Sequence, residues 1–184
     1  MFEFKVGSTV VELRVGDITE LAVDVVVNAA NSTLLGGLGV DGAIHSKGGF
    51  KILEECKRIR ATIWPDGLPT GYAAITFGGD LKAKWVIHTV GPIWQGGLQG
   101  EAEFLKQAYR NSLKLAQSKG FKTIAFPSIS TGAYRYPIEE ASQVAFKTMK
   151  NFFEKESSCI EKVLMVLFTE PVFNVYLAAA KQIF

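Results

Sequence analysis

The chain has 184 residues, 48% hydrophobic and 21% charged, so it is long enough to bury a substantial core as a single domain over 1–184 and too apolar to be disordered. Its 20 basic and 18 acidic side chains give a formal charge of +2 with no run of like charges, so no nucleic-acid partner is implied. Cys56 and Cys159 lie far apart without metal-ligand spacing, and no segment reads as a signal peptide or membrane span, which points to a soluble, cytoplasmic protein with no membrane partner.

Phe2 to Val6 and Val10 to Val15 read as strands joined through Gly7-Ser8, a hairpin signal. Asp17, in Val15-Gly-Asp-Ile-Thr19, is either a helix N-cap or a carboxylate that accepts from an exocyclic amine and so selects adenine. A strand over Val23 to Asn28 then runs into two asparagines, Asn28 and Asn31, and a glycine-rich loop with Gly36, Gly37, Gly39 and Gly42. Such glycines let backbone approach an anion, and the following helix, with Asp41 at its start, adds the positive end of its dipole. Asn28, Asn31 and Asp41 supply the amides and carboxylate needed to hold a sugar and activate a water. The inferred ligand is a nucleotide sugar.

His45, four residues after Asp41, shares its helix face and either pairs with it in catalysis or holds the helix start. Cys56 belongs to a patterned helix with Ile52 and Ile59 and reads as core. Strands follow at Tyr72 to Phe77 and Trp85 to Val90, with His88 read as a satisfied core histidine. A helix carries Leu105, Ala108, Tyr109, Ser112, Leu113 and Ala116 on one face and stops at Gly120. After a strand at Thr123 to Phe126, Ser128 to Tyr134 forms a second candidate anion loop, using the amides of Ser130, Thr131, Gly132 and Ala133 and the Thr131 hydroxyl. Pro137 and Pro171 each open a helix, flanking a strand over Lys162 to Phe168. Phe168 is either a core aromatic or a ring that stacks on a base.

Strands interleaved with helices after a hairpin describe an α/β protein with a mixed sheet covered on both faces. In such sheets ligands bind beyond the carboxyl ends of the strands. The strand exits at Asn28 and Asn31, Gly78-Gly79, Gly91-Pro92, Ser128 to Tyr134 and Phe168 are therefore expected to form one crevice. Gly37 to Gly42 also matches the dinucleotide fingerprint G-x-G-x-x-G, but eight residues separate it from Asn28 and no acidic strand end follows at the required distance. A plain turn is the other alternative. No serine elbow, Walker motif or metal cluster is present, so neither a metal nor a cofactor is expected.

The segments VGDIT, VNAAN, GVDGAIH, VIHTVGP and IAFPSISTGAY, in this order, resemble the macro domain family, and NAAN followed by GVDGAIH resembles its MacroD-type branch. The resemblance implies a three-layer α/β/α fold and a protein that binds ADP-ribose. It further implies hydrolysis of ADP-ribose from modified carboxylates or deacetylation of O-acetyl-ADP-ribose; a non-catalytic ADP-ribose reader is the alternative. By the same resemblance, Asp17 and Ile18 would recognise adenine and Phe168 would stack on it. The loop with Gly37, Gly39, Val40 and Gly42 and that with Ser130, Thr131, Gly132, Ala133 and Tyr134 would wrap the diphosphate. Asn28, Asn31 and Asp41 would surround the distal ribose, with Asn31 and Asp41 as catalytic residues and His45 behind them. Three positions depart from the family pattern: Leu38, expected to stiffen the first loop or give it a hydrophobic tip, Ser128, and Arg135, which either faces solvent or reaches a phosphate.

Overall fold

The computed structural model describes residues 1–155 and 157–184. Its strands are β1 (Phe2–Val6), β2 (Thr9–Val15), β3 (Val25–Ala30), β4 (Ala73–Phe77), β5 (Trp85–Val90), β6 (Thr123–Phe126) and β7 (Lys162–Leu167). The helices are α1 (Gly39–Gly48), α2 (Phe50–Thr62), α3 (Glu101–Ser118), α4 (Ile138–Lys155) and α5 (Glu170–Ile183), with a short 3-10 turn at Ile18–Glu20. All seven strands join one sheet in the order β1-β2-β7-β6-β3-β5-β4. The five inner strands run parallel, and the edge strands β1 and β4 are antiparallel to their neighbours.

Burial on both faces explains the nearly continuous apolar runs of the inner strands. Val25 and Val27 of β3 pack with Ile87 against Leu105, Tyr109 and Leu113 of α3, and that layer continues through Phe146 and Met149 of α4 to Tyr176 of α5. Val26 of β3, one residue out of phase, packs with Val86 against Ile44 of α1 and Ile52, Cys56 and Ile59 of α2. The result is the expected three-layer arrangement. Among the described residues no helix is long and apolar enough to cross a membrane.

Two expectations need correction. Strand β3 continues past Asn28 to Ala30, because Asn28, Ala29 and Ala30 keep register with His88, Thr89 and Val90 of β5. Asn28 is therefore an interior strand residue. Gly78-Gly79 does not join the crevice, because too few residues separate β4 from β5 for a crossover, so the pair must be antiparallel and β4 ends at the opposite edge of the sheet. There Gly79, at φ +58°, lies so close to the C-terminus of α1 that a Cβ would sit 2.1 Å from the Gly48 carbonyl oxygen.

These glycines are structural. A left-handed backbone costs a residue with a Cβ about 1–2 kcal/mol, and overpacking adds roughly 1–3 kcal/mol. Gly79→Ala should lower stability by roughly 2–5 kcal/mol in urea unfolding. A loss under about 1 kcal/mol would show that the contact relaxes freely.

Candidate functional site

A cavity of about 460 Å³ opens beyond the carboxyl end of β3. Asn31 stands at its base, Gly37 to Asp41 form one wall, and Ser128 to Ser130 with Gly132 to Tyr134 form the other. Gly91, at the exit of β5, closes the gap between them. A Cβ there would lie 2.1 Å from the Ser130 hydroxyl oxygen and 2.6 Å from Ile129 Cγ2, so glycine lets the β5 exit lie directly against the loop after β6.

The first wall presents the N-terminus of α1. Its N-cap residue, Leu38, makes no side-chain cap bond, so the first amides of the helix are left facing the cavity. Leu38 itself is 91% exposed, the hydrophobic tip expected from its departure. Asn31 holds the loop shut from below: its Oδ1 accepts from the Thr33 amide at 3.1 Å and its Nδ2 donates to the Gly36 carbonyl at 3.1 Å. On the opposite wall, the amides of Ser130 to Tyr134 find no backbone acceptor among the described residues. Ser130 adopts a left-handed φ of +67°, which turns this loop around the cavity. The Thr131 hydroxyl does not contribute as expected. It pairs with Ser128 at 2.5 Å, and Ser128 in turn pairs with the Tyr176 hydroxyl at 2.6 Å, tying the loop to α5. Arg135 is exposed and faces solvent.

Asp41 is 5% exposed and lines the cavity. Burial raises its carboxyl above the ordinary value, opposed by a 2.7 Å hydrogen bond from Asn28 Nδ2 and by His45. His45 Nε2 lies 3.5 Å from Asp41 Oδ1, on the side away from the cavity. Asn28 is fully buried and reaches the cavity only through Asp41, which corrects the expectation that it touches the ligand. Asn28 Nδ2 also lies 3.1 Å from His88 Nδ1, and His88 Nε2 lies 2.9 Å from the Thr76 hydroxyl. Burial lowers His88 to about 3, so the ring is neutral. The consistent proton assignment has Nε2–H donating to Thr76, Nδ1 accepting from Asn28, and the other Asn28 amide hydrogen donating to Asp41. His88 is the satisfied core histidine expected, and what its sequence position did not show is that its partner Asn28 leads on to Asp41. The available signal was that Asn28 and His88 occupy matching places on strands that prove to be neighbours.

Candidate ligand atoms of His45, Cys56 and His88 lie within 4.8 Å of one another. They come from α1, α2 and β5, a gathering no local spacing reveals. The set does not fit a cation well, because both His88 nitrogens are engaged and burial, aided by the charges of Asp41 and Glu55, pushes the Cys56 thiol up to about 12.

Toward β2 and β7, Asp17 uses Oδ1 to accept from the Thr19 amide at 2.9 Å and hydroxyl at 2.6 Å, which caps the 3-10 turn. The Thr19 hydroxyl bond holds its carboxyl below the usual value against the opposing effect of burial. Oδ2 remains at the surface, 3.7 Å from Lys47 Nζ. The capping reading thus holds for one oxygen, while the other faces Lys47 at the surface. Ile18 is buried in the turn, while Phe168 is 81% exposed and is no core aromatic.

The family model described as Macro domain matches residues 27–145. A macro domain-containing protein of Caldanaerobacter subterraneus is 50% identical, over 94% of this chain and 97% of its own. An O-acetyl-ADP-ribose deacetylase of Escherichia fergusonii is also 50% identical, over 88% of this chain and 89% of its own. The Oceanobacillus iheyensis macrodomain, solved with ADP, superposes with a TM-score of 0.94 at 41% identity, covering 98% and 95% of the two chains. The chain belongs to the macro domain family.

Within this site Gly42 has a role the sequence reading misplaced. The close approach that demands glycine there comes from the loop itself: a Cβ would lie 2.5 Å from the Gly37 carbonyl oxygen. Gly42→Ala should shift the Gly36 to Val40 backbone and cost about 1–3 kcal/mol. Amide chemical shifts and thermal unfolding check both effects, and an unmoved loop would contradict the packing account.

Proposed function

We propose that this chain binds ADP-ribose and hydrolyses its esters, releasing mono-ADP-ribose from modified protein carboxylates or the acetyl group from O-acetyl-ADP-ribose. The observation that carries this reading is Asp41, a buried carboxylate with a raised pKa that opens into a cavity walled by free backbone amides. An acid beside a diphosphate repels it and so weakens binding, a cost that a general base offsets by activating water. The relatives named O-acetyl-ADP-ribose deacetylase support the same reading, as does the Trypanosoma brucei macrodomain solved with ADP-ribose, at a TM-score of 0.82 and 36% identity.

In this reading the diphosphate lies between the amides of Gly39 to Asp41 and those of Ser130 to Ala133. Adenine lies toward the surface oxygen of Asp17, Oδ2, and the backbone of Ile18, against the exposed Phe168 ring. The distal ribose then comes to rest at Asn31 and Asp41, and binding energy from the remote groups fixes the reacting atoms. Asp41 takes a proton from a water. The water oxygen bonds to the ester carbonyl carbon, or to the anomeric carbon when the glycosyl bond is cut. The bond to the leaving oxygen breaks, and the proton returns to that oxygen. His45 and Asn28 position the carboxylate, and His88 positions Asn28. Two free thiols, Cys56 and Cys159, accord with a reducing cytoplasmic setting.

Asp41→Ala should abolish turnover of O-acetyl-ADP-ribose and of glutamate-linked ADP-ribose while calorimetry still detects free ADP-ribose binding. A wild-type chain that binds ADP-ribose but cleaves neither substrate would leave a reader. The base form of Asp41 fills as pH rises through its elevated pKa, so the acid limb of the rate profile should lie above the ordinary carboxylate value of about 3.9. A raised folded-state pKa also costs stability at neutral pH, and the cost fades as pH falls toward the unfolded value. Asp41→Asn should therefore raise the Tm at pH 7 by a few degrees, a gain that shrinks in acid.

His88→Leu should free the Asn28 amide, lower kcat at least ten-fold and move the acid limb upward, because the bond from Asn28 holds the Asp41 pKa down. His88→Asn, which keeps an acceptor near the Nδ1 position, should stay closer to wild type. Unchanged kcat and pH profile in His88→Leu would remove the positioning role.

A further inference from the structure

A second cavity of about 290 Å³ adjoins the first and shares Gly91 and Tyr134 with it as walls. Ser32, next to Asn31, lies at its mouth. Its place follows from strand order. The adenine end of the proposed site lies over β2 and β7, the diphosphate over β6 and β3, and the distal ribose at the exit of β3. The next strand exit is that of β5, which supplies Gly91, Pro92 and Ile93 to the second cavity.

The lining is specific in character. Ile93 and Phe104 offer apolar surface, 56% and 40% exposed, while Thr70, Gln95 and Gln99 offer neutral hydrogen-bonding groups. The one charged lining residue, Glu101, is 2% exposed and is occupied: its carboxylate accepts from the amides of Gln95 at 3.0 Å, Gly97 at 2.7 Å and Gln99 at 2.6 Å. These bonds shape the loop over residues 93–100 into a preformed wall, so little ordering entropy is lost when it is covered. A wall of apolar and amide-type groups, with its one carboxylate already bonded by backbone amides, suits polypeptide better than a free anion. The volume is about ten times the ~30 Å³ share of one water, far more than an acetyl group needs.

We propose that this second cavity is the subsite for the polypeptide part of the substrate, holding the residues that flank an ADP-ribosylated carboxylate. The inference rests on the reading that places the distal ribose at Asn31 and Asp41. It places the modified carboxylate and its flanking residues on the β5 side of Tyr134, and it separates two substrate classes that share one nucleotide site: protein-linked ADP-ribose fills both cavities, and O-acetyl-ADP-ribose fills the first.

The test uses the full chain and three probes: free ADP-ribose, O-acetyl-ADP-ribose, and a peptide ADP-ribosylated on a glutamate side chain. Binding is measured in the Asp41→Ala background so that turnover does not consume the peptide. The peptide should bind at least five-fold tighter than free ADP-ribose, and adding Ile93→Asp should erase that ratio while leaving the Kd for free ADP-ribose unchanged. Phe104→Ala should act in the same direction; both residues are partly exposed, and unchanged ADP-ribose affinity certifies the fold. With Asp41 intact, Ile93→Asp should lower kcat/KM about ten-fold on the peptide and less than two-fold on O-acetyl-ADP-ribose. Equal affinity for peptide and free ADP-ribose, or a loss shared by both substrates, overturns the subsite. A wild-type chain that cleaves neither substrate yet shows the affinity ratio overturns the hydrolase reading and supports the subsite.

Discussion

The hydrogen bond from Asn28 to Asp41 is the constraint on which the site depends. It spans 2.7 Å between the inner strand β3 and the first helix, and it holds a carboxylate at the edge of a largely apolar layer. Hydrogen bonds to charged groups contribute about 1.5–3 kcal/mol, and an orphaned buried carboxylate would cost more than that. The bond thus sets where α1 can sit on the sheet. Because α1 also supplies the cavity's free amides, the position of the acid and of the anion-binding wall are one variable.

That bond works because Asn28 has no freedom to turn. An amide is nearly symmetric in shape, so packing alone would not choose which end faces Asp41. A neutral imidazole does choose, since His88 can accept through Nδ1 only while Nε2 gives its proton to Thr76. Burial keeps the ring neutral, and neutrality keeps the orientation. The buried polar chain from Thr76 through His88 and Asn28 to Asp41 ends in the one carboxylate that reaches the cavity.

The sheet arranges the rest in a line. Parallel strands deliver their exits to one edge, and the order of β2, β7, β6, β3 and β5 becomes an order of subsites along that edge. Loops from β3 and β6 form the two walls, and glycine at position 91 lets the β5 exit touch the β6 loop. Cleft, acid and amides are built by connections that would be unremarkable turns if the strands were ordered otherwise.

Much of this is legible in the sequence, because it is local. Alternating and continuous apolar runs marked every strand, prolines marked the starts of α4 and α5, and the asparagines, Asp41 and clustered glycines marked the loop that bears the site. What the sequence could not decide was non-local. Whether Gly78-Gly79 joins the crevice depends on the direction of β4, and whether Asn28 touches ligand or holds Asp41 depends on β3 pairing with β5, whose residues lie some sixty positions away. The same holds for His45, Cys56 and His88, brought together from three elements, and for Gly42, whose required smallness comes from a carbonyl five residues earlier in a folded loop. Sequence determines which groups are available and which segments can carry them. Strand order and register decide which of them meet, since contact between distant residues is a property of the packed chain alone.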